Sequence, residues 1–151
     1  MVKQLCDIHN IILRLRLQFR FGRLSRAPLR LLRLEWRDDH VDCDWIARAP
    51  DEWDQGLARR LTDASSSAQA LEDAMAIREL LFNALHEISS ATFRVYRQAG
   101  DDIPELIITG TAIRSEPAWR NVDSLVMRAK LCGFRFCLDK GKLMALPVEV
   151  Q

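Results

Sequence analysis

Residues 29–46 read LRLLRLEWRDDHVDCDWI, and the alternation in this stretch decides the fold. Over residues 40–46, apolar and polar side chains alternate, which is the pattern of a strand with one buried face. Over residues 29–37 the apolar phase slips at Leu31-Leu32, so this part is either a bulged strand or a short helix. The neighbouring strand favours the strand, with a hairpin turn at Asp38-Asp39.

Two pairing registers of this hairpin keep the apolar side chains on one face of the sheet and the polar side chains on the other. A loop formed by the two aspartates places Arg33 opposite Asp44, whereas a loop centred one residue later places Arg37 opposite Asp42. Either register gives an Arg–Asp pair on the polar face. The register between them is excluded, because it would place charges opposite core residues.

The segments on either side of the hairpin predict a further strand and two helices. Strict alternation from Leu13 to Phe21 is typical of a half-buried strand. Pro50 and the acidic residues after it open a short helix that continues to Leu61. After a run of serines, the capping box Ser66-x-x-Gln69 opens a longer helix that reaches about Ile88. Its apolar face covers about half of the circumference, as in a helix that packs on a sheet.

The second half of the chain predicts another hairpin, from residues 93–97 and 106–113. Its second strand is apolar on both faces and is therefore central. Gly110 in that strand indicates a bulge or a close backbone contact.

The remaining residues predict one helix and two strands. Ser115 and Pro117 start the helix, and Gly133 stops it. A strand that begins at Phe134 then turns at Lys140-Gly141 into a closing strand, Leu143 to Val150.

Taken together, these elements predict an α+β fold in a single domain, residues 1–151. We expect a largely antiparallel sheet of about seven strands with about three helices packed on one side, in the order β-β-β-α-α-β-β-α-β-β. A chain of 151 residues is near the usual size of one domain and long enough to bury a core of its own.

The location of the protein is predicted from what the sequence lacks. Polar residues interrupt the first stretch, so no signal peptide is predicted, and no apolar run approaches the roughly 18 residues of a membrane span. We therefore expect a cytoplasmic protein without membrane contact, in which the four cysteines are reduced thiols.

The near-neutral net charge of +1 conceals a segregation along the chain. Residues 1–37 carry nine bases and two acids, whereas residues 38–87 carry four bases and twelve acids. The total predicts neither a nucleic-acid binder nor an acidic tail. Opposed segments would allow two copies of the chain to pair through complementary charges.

Catalytic and cofactor signatures are missing from the sequence. It contains no glycine-rich phosphate loop, no G-x-S-x-G, no H-E-x-x-H and no C-x-x-C. A zinc site would need His40 and Cys43 together with Cys132 and Cys137, but on a strand His40 and Cys43 point to opposite faces. We therefore predict no catalytic residue, no cofactor and no metal, and the sequence leans away from an enzyme.

Three groups of charged residues are candidate sites. Glu35, Asp42 and Asp44 form an acidic cluster on one hairpin, which suits a hard cation or acid–base chemistry, although pairing with arginines on the same face explains it more simply. A basic segment for a phosphate backbone or a partner consists of Arg14, Arg16, Arg20, Arg23, Arg26 and Arg30. It lacks the interleaved aromatic side chains that would stack on bases.

The third candidate is Arg78, which projects from the apolar face of the long helix. A guanidinium in that position needs a partner. It either pairs with a hairpin acid or with carbonyl groups, or it anchors an anion in a pocket between helix and sheet.

For function, the sequence favours a non-enzymatic module that binds another protein or itself as a homodimer. Two alternatives remain open. One is a nucleic-acid binder that uses the basic N-terminal segment, and the other is a binder of a small anionic ligand, or an enzyme, with a pocket near Arg78.

Overall fold

The computed structural model describes residues 9–13, 29–49, 59–98, 100–101, 103–114 and 121–147. Residues 9–13 are helical and form the described part of α1. The other elements are β1 (Arg30–Arg37), β2 (His40–Ile46), α2 (Arg59–Ala84), β3 (Ser90–Arg97), β4 (Glu105–Ile113), α3 (Leu125–Leu131), β5 (Phe134–Arg135), β6 (Leu138–Asp139) and β7 (Lys142–Leu143).

The strands form a mixed five-stranded sheet in the order β1-β2-β3-β4-β5 and a separate two-stranded sheet, β6-β7. The α+β class is confirmed, and the expected largely antiparallel sheet of about seven strands is matched only roughly, because the described strands divide between two sheets and one pair is parallel. The pairs β1–β2, β3–β4 and β4–β5 are antiparallel, whereas β2 and β3 are parallel. The reason is that α2 carries the chain back past the sheet between them, so β3 starts at the same end as β2.

The first hairpin forms as predicted in its two-aspartate register. Arg33 lies opposite Asp44, and Asp38 takes the positive φ of 54° that such a tight turn requires. Residues 29–37 are a strand rather than a helix from Arg30 onward, and the register shifts between Leu31 and Arg33, where the bulge was expected. The alternative register, with Arg37 opposite Asp42, is wrong, since Arg37 lies opposite His40.

The helix α2 runs without a break from Arg59 to Ala84, so the predicted new helix start at Ser66 is wrong. In this stretch Ser67 has a tertiary partner, and Gln69 has a partner one turn further along α2. The backbone N–H of Leu143 donates to Ser67 Oγ at 2.9 Å, and Gln69 Nε2 donates to Asp73 Oδ1 at 3.0 Å. Packing against β7 therefore outweighs the tendency of serine to end a helix.

The apolar face of α2 packs on one face of the large sheet and forms the core. The predicted face is buried at Leu71, Ala74, Met75, Ile77, Leu81, Phe82, Leu85 and Ile88. Across from it, Trp45 meets Phe93 edge to face at 6.1 Å between ring centroids, and Phe93 lies 5.3 Å from Phe134.

The C-terminal end of α2 is fixed by Arg114, which follows β4. Its guanidinium donates to the carbonyl oxygens of Phe82, Leu85 and Ile88 at 2.9, 2.5 and 2.9 Å. The arginine thus supplies donors to carbonyl groups in and just after the last turn of α2, where the helical hydrogen-bond pattern ends. The helix ends at Ala84, before the predicted end at Ile88.

In the second half, the hairpin of β3 and β4 is confirmed, with Ser90 opposite Ile113. Ser115 and Pro117, which were predicted to start the later helix, lie outside the described residues, and residues 121–124 are not helical. α3 starts only at Leu125, after Ser124, whose side chain accepts a hydrogen bond from the N–H of Met127. The long closing strands are wrong, since the chain forms two residues of β5 and then the small β6–β7 hairpin around Lys140-Gly141.

Two further predicted segments have little or no description. Leu13, where the first strand was expected to begin, belongs to the helical residues 9–13, and residues 14–21 lie outside the described residues. The short helix expected from Pro50 lies outside them up to residue 58.

Gly110→Ala should destabilise the fold by about 3 kcal/mol or more, because overpacking against backbone cannot be relieved by a rotamer change. A Cβ at this position would lie 2.1 Å from the carbonyl oxygen of Gly133. Gly100→Ala is the matched control. Nothing lies within 4 Å of its Cβ position, and its φ of +62° opposes alanine by only about 1 kcal/mol. Equilibrium urea denaturation measures both, and equal losses would contradict the close approach of Gly133 as the cause.

Candidate functional site

The face of the large sheet that points away from α2 carries two rows of polar side chains. Strand registers define the rows, because residues paired across strands point to the same face. The first row, from β1 to β5, is Arg33, Asp44, Arg94, Thr109 and Arg135. The second row, from β1 to β4, is Glu35, Asp42, Thr92 and Thr111.

At the β1–β2 end of these rows, each carboxylate of the predicted acidic cluster lies beside an arginine. Arg37 Nη2 is 2.9 Å from Asp42 Oδ2, and Arg33 Nη2 is 2.8 Å from Glu35 Oε2. Asp44 is held more loosely, with Arg33 and Arg94 nitrogens at 3.8 and 3.7 Å from its two oxygens. The carboxylates of Asp42 and Asp44 are nearly buried, so these cations offset a substantial desolvation cost.

The two buried aspartates have opposite pKa shifts. Burial acts to raise the pKa of Asp42, but the hydrogen bond from Arg37 and the charges of His40 and Arg33 outweigh it and lower the pKa. For Asp44, burial dominates over the more distant Arg94 and Arg33, and its pKa is raised. The pKa of Glu35 is lowered, mainly by its hydrogen bond with Arg33.

His40 lies beside the acidic cluster and is held by hydroxyl groups. Its Nδ1 is 2.7 Å from Ser90 Oγ, and its Nε2 is 3.0 Å from Thr92 Oγ1. Cys43 points to the opposite face and is buried, as the alternation predicted, and burial raises the pKa of its thiol. Within the described residues, no group of three or more His, Cys, Asp and Glu side chains is placed to hold a metal ion.

At the β3–β5 end, the same face forms one wall of a cavity of about 680 Å³. Its polar lining consists of Tyr96 and of five residues from the two rows, Thr92, Arg94, Thr109, Thr111 and Arg135. Arg94 and Arg135 are one strand away from Thr109 on either side, which places their Cα atoms about 10 Å apart. The described lining contains no carboxylate.

The apolar lining of this cavity comes from Leu106 and Phe136 and, in the segment after β7, from Leu146 and Pro147. Leu146 donates its N–H to the carbonyl oxygen of Leu106 at 2.7 Å, and Met144 donates its N–H to that of Cys137 at 2.8 Å. These bonds hold Leu146 and Pro147 against the edge of the polar face. The cavity therefore joins two guanidinium groups, the hydroxyls of three threonines and one tyrosine, and an apolar wall.

Arg78 lies on the other side of the sheet. It is buried, its Nη2 donates to the carbonyl oxygen of Ile113 at 3.2 Å, and its guanidinium lies 5.0 Å above the ring of Phe82. It does not line the cavity on the polar face. An anion anchor at Arg78 stays a prediction.

Most of the predicted basic segment has no described position. Arg14, Arg16, Arg20, Arg23 and Arg26 lie outside the described residues. Arg30 is the first residue of β1 and is exposed. A nucleic-acid or partner surface on this segment therefore also stays a prediction.

Sequence reasoning missed the residues that surround Thr109. Arg94 and Arg135 each occupy a polar position in an alternating stretch, and this alternation indicates that they lie on the polar face of the sheet. The missing information was the pairing of β4 with β5, which places Arg135 next to Thr109.

Comparison of the chain with protein-family models, with curated proteins and with solved structures finds no match. Of the helices in the described ranges, none combines the length and the apolar composition needed to cross a membrane.

Asp42→Asn and Asp44→Asn should respond to pH in opposite ways. The lowered pKa of Asp42 means that its ionisation stabilises the fold above its usual pKa of 3.8, and this stabilisation is lost as the pH falls through the lower folded value. The raised pKa of Asp44 means that its ionisation reduces stability as the pH rises above 3.8.

We therefore expect the unchanged chain to have a higher free energy of unfolding than Asp42→Asn, and this difference should shrink as the pH falls below about 4. Its stability relative to Asp44→Asn should be highest in acid and should decline as the pH rises from about 4 towards neutrality. Urea denaturation over this range measures both differences. Parallel pH profiles for the two variants would contradict the assignment.

Proposed function

We propose that this chain is a binding protein for a small anionic molecule, which it holds on the polar face of the large sheet. The observation that carries the proposal is the cavity of about 680 Å³ with Arg94 and Arg135 on either side of Thr109 and no carboxylate in its described lining. Its volume is in the range of small-molecule sites.

The chemistry of the lining suits a phosphoryl or carboxylate group. Guanidinium groups donate two parallel hydrogen bonds to such oxygens, and hydroxyls supply further donors. Strands β3 and β4 hold Arg94 and Thr109 in a regular ladder, and Asp44 holds Arg94 from the other side at 3.7 Å. Positioning of this kind lowers the entropy lost on binding.

A small ligand is favoured over a nucleic-acid strand by the charges next to the cavity. Both rows continue on β1 and β2 with Glu35, Asp42 and Asp44. A polyanion lying across the sheet would meet these carboxylates, whereas a compact anion over Thr109 would not. The alternative of nucleic-acid binding therefore depends on the basic N-terminal segment rather than on this face.

Self-association, which was the function that the sequence favoured first, is discouraged by features of β1. Among the described strands, β1 pairs only with β2, so it is an edge of the sheet. Its bulge at Leu31/Arg33 and its charges at Arg33, Glu35 and Arg37 are features that discourage pairing with another copy. A homodimer remains an outcome that the test below would reveal.

Pyrophosphate and citrate are suitable probes, because they present phosphoryl and carboxylate oxygens without a large apolar body. We expect either to bind with one site per chain in isothermal titration calorimetry. Arg135→Gln should weaken binding about tenfold or more, since a charge-assisted hydrogen bond contributes about 1.5–3 kcal/mol. Arg94→Lys, which keeps the charge and removes the fork, should weaken it less.

Arg37→Gln is the matched control, since Arg37 lies on the same sheet face and does not line the cavity. The affinity of this variant should stay within about twofold of that of the unchanged chain, because the Arg37 guanidinium is exposed, paired with Asp42 and screened by salt. Absence of binding at millimolar concentration, or equal losses in Arg37→Gln and Arg135→Gln, would overturn the proposal. So would light scattering that shows a dimer whose formation abolishes binding.

A further inference from the structure

A second cavity, of about 440 Å³, lies at the carboxyl ends of β2 and β3. Its lining includes residues 46–49 after β2, residues 97–98 after β3, and side chains from the first half of α2 and from β7. It therefore lies at one end of the sheet, and it shares no described lining residue with the cavity over Thr109.

This position is where parallel strands joined by a helix form binding sites. The chain leaves the sheet at the carboxyl end of one strand, and a crevice remains between that point and the neighbouring parallel strand. In this protein β2 and β3 are the parallel pair and α2 is the crossover. The topology thus accounts for an opening at this end of the sheet.

The floor of the second cavity is a fixed ion pair. The side chain of Arg48 is 1% exposed, and its Nε lies 2.8 Å from Asp73 Oδ2, which also neighbours Gln69. Burial raises the pKa of Asp73 against the opposing effect of Arg48. A second arginine, Arg97, donates to the carbonyl oxygen of Leu143 at 2.6 Å and pairs with Glu105 at 2.9 Å.

Two further cations, Arg30 and Lys142, line the cavity. In the part of the chain that the structure describes, neither Arg30 nor Lys142 forms an ion pair, and Asp63 is the one carboxylate that lines the cavity. With Arg48 and Arg97 neutralised, the remaining charges leave a positive balance. The cavity therefore favours an anionic group near Arg30 and Lys142.

Besides the polar residues Ser66, Ser67 and Gln98, the cavity has an apolar wall, which includes Leu29, Ile46, Ala70, Ile107 and Leu143. Ile107, Ala70 and Leu143 belong to the buried core, so this wall is rigid. An occupant with an apolar body would gain hydrophobic contact here that a bare phosphate would not. This distinguishes the cavity from the hydroxyl-lined one on the sheet face.

We infer that this second cavity binds an amphipathic organic acid, with its carboxylate near Lys142 and Arg30 and its apolar chain against Ile46, Ile107 and Leu143. This cavity is separate from the proposed anion site over Thr109. Its cations and its apolar wall together require an occupant with a charged end and an apolar body, which a small carboxylic acid provides.

Octanoate is the probe, with octanol as the uncharged comparison. In a titration followed by ¹H–¹⁵N correlation spectra of the full chain, octanoate should shift the amides of Ala47, Gln98 and Leu143. The amides of Thr111 and Arg135 should not move. Octanol should bind at least tenfold more weakly, because it lacks the charge-assisted contact.

Three variants test the site. Ser66→Leu places a larger side chain into the cavity from the half-buried surface of α2 and should abolish octanoate binding. Lys142→Gln should weaken it about tenfold, whereas Lys140→Gln, in the exposed turn of the same hairpin, should leave it unchanged. Unchanged circular dichroism of each variant shows that the fold is intact.

No binding of octanoate at millimolar concentration, equal binding of octanol, or unchanged binding by Ser66→Leu would overturn the inference. Shifts at Thr111 and Arg135 in place of Ala47 and Gln98 would overturn it too. Arg135→Gln separates the two sites, since it should lose pyrophosphate and keep octanoate. Failure at one site therefore leaves the result at the other intact.

Discussion

The parallel pairing of β2 with β3 is the constraint on which the rest of the structure depends. It places Asp44 beside Arg94, and the hairpin places Asp44 beside Arg33, so one buried carboxylate receives a cation from each neighbouring strand. Without both cations, burial of that carboxylate would cost several kcal/mol. The same pairing aligns the carboxyl ends of the two strands and leaves a crevice beyond them. Charge balance on the sheet face and the opening at its end thus have one origin.

Arg94 connects the structural ion pairs with the proposed binding site. On one side it offsets the charge of Asp44, and on the other it lines the cavity over Thr109. The distance of 3.7 Å to Asp44 Oδ1, which accepts no hydrogen bond within the described structure, marks a loose pair. A loose pair orients the guanidinium and leaves its hydrogen-bond donors able to turn to a ligand. The raised pKa of Asp44 reflects the same incomplete neutralisation.

Features set by local patterns could be predicted from the sequence, and features set by distant pairing could not. The alternation around Asp38-Asp39 predicted the hairpin, limited its register to two possibilities and indicated a bulge at Leu31-Leu32, because each depends on residues a few positions apart. The serine run before Gln69 looked like a helix start, yet contact with Leu143, far along the chain, keeps the helix continuous. Likewise nothing near Arg114 indicated that it would bind the carbonyls at the end of α2. Arg135 joined the site only through the pairing of β5 with β4.

The short segment from Leu143 to Leu146 lies between the two cavities and belongs to both. Leu143 lines the cavity at the strand ends and accepts a hydrogen bond from Arg97, and Leu146 lines the cavity over Thr109 and donates to Leu106. Three peptide units separate these two residues, so one short stretch of backbone contributes to the walls of both cavities.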